Sequence, residues 1–110
     1  MANTGNVASV LSLVNTGGQA GAGTAIDLYT YTGAGQPPEA RIYSIDNGDY
    51  SANIQFATKT PGASNNALVT RLTITSAGNV IAPGNIIAAN FYGPASGLTG
   101  LTYSLSLIHI

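Results

Sequence analysis

Any chemistry in this chain would have to come from very few side chains. Seven residues carry charge (Asp27, Glu39, Arg41, Asp46, Asp49, Lys59 and Arg71), His109 is the single histidine, and there is no cysteine. Asp46 and Asp49 are the closest carboxylate pair. Two carboxyls can hydrolyse a glycosidic bond when they flank it at a set separation and an apolar pocket keeps one protonated. These two flank Asn47-Gly48, the strongest two-residue hairpin signal in the sequence. Aspartate at such a tip bonds its own backbone, and a tip offers no pocket. Turn chemistry is therefore the expectation. Calcium would need a denser run of acidic ligands, and thiolate metal sites need cysteine. A histidine with no second histidine nearby builds neither a metal site nor a Ser-His-Asp triad. No catalytic, cofactor-binding or metal-binding residue is assigned, and the chain is not expected to be an enzyme.

Two other patterns could recognise a ligand. Asn15 to Thr24 holds four glycines in ten residues. A dinucleotide fingerprint would continue into a helix, and a phosphate loop would carry a Lys-Ser/Thr pair. Neither follows, so this is a loop with no ligand. Tyr29 and Tyr31 share a strand face, and Tyr43 and Tyr50 lie on or beside later strands. Exposed tyrosines give large amphipathic contact area at low entropy cost and stack on sugar rings or receptor surfaces. Tyr29, Tyr31, Tyr43 and Tyr50 are thus the candidate receptor contacts. The competing expectation is ordinary packing of tyrosine on a pleated surface.

Composition narrows the partners. Charged residues make up 6% of the chain, against roughly 25% in ordinary soluble domains. Three cations form no basic stripe, so phosphate-driven nucleic-acid binding is not expected. No stretch approaches the ~20 apolar residues of a membrane span, and the first ten residues lack the charge and apolar run of a signal peptide. Apolar residues reach 45%, but 16 residues are alanine and 14 more are glycine, leaving few large side chains to fill a core. Ordering the backbone costs about 1–2 kcal/mol per residue. A large side chain returns about 1.5–3 kcal/mol only when fully buried. The sequence therefore predicts burial against copies of itself.

The elements that must position these residues are all strands. Ser9 to Val14 reads as a strand apolar on both faces, with Val10 and Val14 on one and Leu11 and Leu13 on the other. Ala25 to Thr32 alternates, Ile26 and Leu28 opposing Asp27, Tyr29 and Tyr31. Ala40 to Asp46 leads through Asn47-Gly48 into Tyr50 to Thr58, where Ala52, Ile54 and Phe56 oppose Asn53, Gln55 and Ala57. Leu68 to Thr75 alternates again, Leu72 and Ile74 opposing Arg71, Thr73 and Thr75. Ser76-Ala77-Gly78-Asn79 reverses the chain, Gly78 taking positive φ. Val80 to Phe91 is extended but broken at Ala82-Pro83-Gly84, because proline removes a ladder donor. The expectation is an all-β fold of roughly six short antiparallel strands and hairpins with glycine-rich loops.

Arg71-Leu72-Thr73-Ile74-Thr75-Ser76-Ala77-Gly78-Asn79-Val80 resembles a segment of bacteriophage tail-fibre and tailspike proteins that precedes a shaft or a C-terminal chaperone domain. Phe91-Tyr92-Gly93-Pro94-Ala95-Ser96-Gly97-Leu98-Thr99-Gly100 resembles the linker that follows it in those fibres. A looser likeness runs back to Gly23 through the Asn47-Gly48-Asp49-Tyr50 hairpin and Ala52 to Lys59. Counted from Leu68 through Gly100, the likeness spans about a third of the chain. The resemblance implies a β module over 1–80, an extended linker over 81–104 towards a shaft, a virion location and association as a homotrimer. The implied function is structural, supporting host attachment. The alternative is a module binding a host glycan or surface protein through its tyrosines, and a polysaccharide depolymerase has least support. Leu105-Ser106-Leu107-Ile108-His109-Ile110 resembles translated sequencing-library adaptor, so 105–110 is expected to be a non-native tail.

Overall fold

The computed structural model describes residues 7–31, 35–94, 96 and 99. His109 and the rest of 105–110 lie outside them, as do parts of the 81–104 linker. Five strands form one antiparallel sheet in the order β1-β2-β3-β4-β5, so each strand pairs with its neighbour in sequence. They are β1 (Gly23–Leu28), β2 (Ala40–Asp46), β3 (Ala52–Lys59), β4 (Leu68–Ile74) and β5 (Val80–Ile81). The described residues contain no α-helix. The expected all-β fold of short antiparallel strands is what the chain adopts.

Period-two alternation places its apolar residues as expected on β1 and β3, and the register aligns them into rows. One row runs Ile26, Ile42, Phe56, Leu72 across β1 to β4. The next runs Thr24, Ser44, Ile54, Ile74, Val80 across all five strands. The opposite face reads Asp27, Arg41, Ala57, Thr70 and Ala25, Tyr43, Gln55, Thr73, Ile81. The sheet is thus apolar on one face and mainly polar on the other.

Four expectations need correction. Ser9 to Val14 forms no strand, so the described residues hold five strands rather than roughly six. The chain leaves β1 at Leu28, so Tyr29 and Tyr31 lie in the following turn and not on a strand face. The two-residue hairpin at Asn47-Gly48 is a wider connection. Asp46 pairs with Ala52, Asn47 N–H donates to the Ser51 carbonyl, and Tyr50 takes a left-handed φ of 65°. Finally, Arg71 is an extra residue in β4, because Phe56 pairs with Leu72 while Ala57 pairs with Thr70. This bulge interrupts the alternation. The Arg71 guanidinium donates 3.0 Å to Thr58 Oγ1, a residue in register with the apolar side, so Arg71 does not share the side of Thr73.

Two glycines earn their place by geometry. Gly78 has φ 89°, closing the β4–β5 turn in which Thr75 N–H donates to the Asn79 carbonyl and Gly78 N–H to that of Thr75. At Gly23 a Cβ would sit 1.9 Å from the Ser44 carbonyl oxygen, so β1 starts where only glycine fits against β2.

Polar clasps hold the sheet at both ends. At one, Asn53 Oδ1 accepts from Ser76 N–H (3.0 Å), and Asn47 Nδ2 reaches Ser51 Oγ (3.0 Å) and Ser76 Oγ (3.2 Å). At the other, Glu39 Oε1 accepts from the N–H groups of Thr30 (2.6 Å) and Tyr31 (2.8 Å). Lys59 Nζ bonds Glu39 Oε2 (3.2 Å) and the Ser64 carbonyl (2.8 Å), which ties the β1–β2 connection to the β3–β4 loop. Partial desolvation pushes the Glu39 carboxyl up, but donation from Tyr31, Thr30 and Lys59 outweighs it and holds the pKa below its ordinary 4.5. A lowered carboxylate pKa stabilises the fold above the unfolded value, and the effect fades as pH falls through the folded one. Asp27, lowered from 3.8 by the Arg41 hydrogen bond despite some desolvation, acts in the same direction just below. Stability should therefore drop on acidification from about pH 5. Chemical denaturation of the Glu39→Gln/Asp27→Asn double variant should show a visibly shallower loss over that window; an unchanged slope would remove the clasp from the account.

Candidate interaction surface

Domains are normally two packed layers, each burying its apolar side on the other. Here the described residues make one layer. Ala57, 3% exposed, is the only apolar side chain of the sheet that is fully buried, with Pro38 buried beside β2. Ala57 lies on the polar face, where the Tyr43 hydroxyl crosses β3 to meet Thr70 Oγ1 at 2.7 Å. Next to it, Arg41 grips Asp27 through Nε (2.5 Å) and Nη2 (3.0 Å). The polar face is knitted together by side-chain bonds.

Among the described residues the apolar face has only the partial cover of Leu13 and Val14 at one end. Ile42 at its centre is 37% exposed, Ile54 is 47% exposed and Val80 is 62% exposed. Scattered apolar residues are ordinary on a protein surface, but contiguous rows on one sheet face mark an interaction site. β1 also has a strand on one side only, and among the described residues no strand pairs with its other edge. Beside β4, by contrast, Pro83, Gly84 and Asn85 border a hollow of about 320 Å³ with Val69, Thr70 and Arg71. The chain itself therefore shields part of that edge.

The sequence-derived tyrosines do not converge. Tyr43 is half-buried and bonded to Thr70, which is the packing expectation for it. Tyr50 projects fully from the β2–β3 connection. Tyr29 and Tyr31 are exposed in the turn after β1, and Tyr31 borders a hollow of about 430 Å³ with Glu39, Lys59 and the loop 60–64. Asp46 and Asp49 do the turn chemistry expected of them. Asp46 Oδ1 accepts from Gly48 N–H at 2.6 Å, and Asp49 accepts from the Ser51 hydroxyl. Among the described residues no three His, Cys, Asp or Glu side chains gather as a metal site, and no helix is long and apolar enough to cross a membrane. The open face itself needed the structure to be found; alternation gave the apolar rows, but the register aligns them across strands, and their exposure shows how little of the described residues lies over them.

Comparison with known protein families, with curated proteins and with solved structures finds no match to this chain.

Proposed function

We propose that this chain is a structural β module of a bacteriophage tail fibre or tailspike, supporting host attachment as part of a homotrimer in the virion. The observation that carries the reading is the uncovered apolar face, Ile26, Ile42, Phe56 and Leu72 in one row with Ile54, Ile74 and Val80 in the next. A single-layer sheet lacks the second layer that stabilises a domain, and copies of the same module supply it without any other partner. The resemblance of Arg71 to Val80 and of Phe91 to Gly100 to fibre segments supports the setting and the number three. Function is then mechanical: reach from the particle, and presentation of three tips whose linkage raises effective concentration at the cell surface.

A second reading, direct contact with a host glycan or surface protein, draws on Tyr29 and Tyr31, which are 53% and 62% exposed, Tyr31 beside the 430 Å³ hollow. Adsorption separates the two. In a particle carrying Tyr29→Ala/Tyr31→Ala, the structural reading predicts adsorption within about twofold of the parent, the scale on which surface changes act. A loss of tenfold or more, with the fibre still assembled, would favour receptor contact.

A further inference from the structure

The segment before the sheet has chemistry that its own copy does not use. Ser9 to Val14 is apolar on both sides, yet Val10 is 99% exposed, Leu11 72% and Val14 79%. Its C-terminal end approaches the sheet, Leu13 bordering a hollow with Ile26, Ile42 and Ile54, and Leu13 and Val14 bordering another with Thr24, Ser44 and Ala52. The segment has strand propensity and no strand partner, and its backbone polar groups need one once they leave water.

Its own β1 edge is close in sequence but is not used. Asn15 Oδ1 accepts from Gly17 N–H at 2.8 Å, a local turn, while Asn15 Nδ2 donates 2.8 Å to the Gly23 carbonyl. That side chain holds the first carbonyl of β1 and sends the preceding residues towards the sheet face instead of along the edge. Among the described residues no strand pairs with the rest of the edge, to Leu28. The free segment and β1 match in length, six residues each.

We infer that Ser9 to Val14 of one copy adds as a strand to the open outer edge of β1 in a neighbouring copy. The addition pairs the backbone of both segments and extends the apolar rows by one strand. Because Ser9 to Val14 is apolar on both sides, its second side is left to meet another layer of the assembly. This inference rests on the self-association proposed above and specifies its contact.

The chain has no cysteine, which makes cross-linking clean. Two full-length variants, Val10→Cys and Ala25→Cys, are prepared separately, mixed after denaturation, refolded together and oxidised. A mixed disulfide dimer, in excess over either self-dimer, is expected. In a chain carrying both substitutions, a bond formed within one molecule would show hairpin closure and overturn the inference. Sedimentation of the full chain and of Val10→Asp/Leu11→Asp provides the second arm. Both residues are exposed and touch no core, so the substitutions leave the sheet itself intact. At least tenfold weaker association is expected. Equal association of variant and parent overturns strand addition and leaves the self-association reading standing, whereas a monomeric parent overturns that reading itself.

Discussion

Replacing Ile42 by aspartate should leave the chain monomeric at concentrations where the parent associates. Ile42 lies in β2 between Ile26 and Phe56 and is 37% exposed in the isolated sheet. An aspartate there would still see water in a lone chain. Once a second layer covers the face, it becomes a buried, unpaired charge, which typically costs about 3–5 kcal/mol. Each 1.4 kcal/mol is a factor of about ten in an equilibrium constant, so association should weaken by roughly 10²–10³ or more. The matching control is Gln55→Glu, a change of charge on the opposite face beside Tyr43. It should leave association nearly unchanged. If both variants weakened association equally, a general charge effect rather than coverage of the apolar face would explain the result.

The second large effect is local and tests the sheet itself. Gly23→Ala should destabilise the fold by about 3 kcal/mol, the upper part of the usual range for forcing atoms into filled space. The added Cβ would meet the Ser44 carbonyl oxygen at 1.9 Å, and a backbone oxygen in a ladder cannot swing away as a side chain can. Either β1 separates from β2 at its first pair or the Thr24–Ser44 hydroxyl contact of 2.9 Å is lost. Gly84→Ala is the natural comparison, since nothing lies within 4 Å of its added Cβ. Denaturant midpoints of the two variants should therefore differ widely, with Gly84→Ala within about 0.5 kcal/mol of the parent. A Gly23→Ala protein as stable as the parent would mean that β1 does not pair with β2 in this register.

These two sites also show which parts of the fold were legible in the residues. β3 and β4 were readable because their apolar residues alternate in the sequence, as a strand half-exposed on one side must, and β2 because it leads into the Asn47-Gly48 turn signal. Their expected cores, Ala40 to Asp46, Tyr50 to Thr58 and Leu68 to Thr75, differ from the observed strands by no more than two residues at either end. The turn at Gly78 was readable for the same kind of reason, since a reversal there needs positive φ.

Other features depended on who pairs with whom. Glu39 and Lys59 are 20 residues apart, and only the β2–β3 register brings them together. Tyr43 was read as a possible contact residue because a tyrosine on a strand looks the same whether its hydroxyl meets a receptor or Thr70. The bulge at Arg71 left no mark, because a one-residue slip changes the pairing without changing the pattern. Ser9 to Val14 failed for the opposite reason. Its propensity is that of a strand, but a strand exists only where an edge receives it, and its own copy steers it elsewhere with Asn15. The composition, with few large residues, agrees with a sheet whose apolar side stays largely exposed among the described residues.

Sedimentation equilibrium of the full chain tests that claim most directly. Covering of the apolar face by other copies, in the trimer proposed from the fibre resemblance, predicts a mass near three times 11.1 kDa, with cooperative unfolding whose midpoint rises with protein concentration. A folded species of 11.1 kDa, unfolding cooperatively at a midpoint independent of concentration, would contradict it.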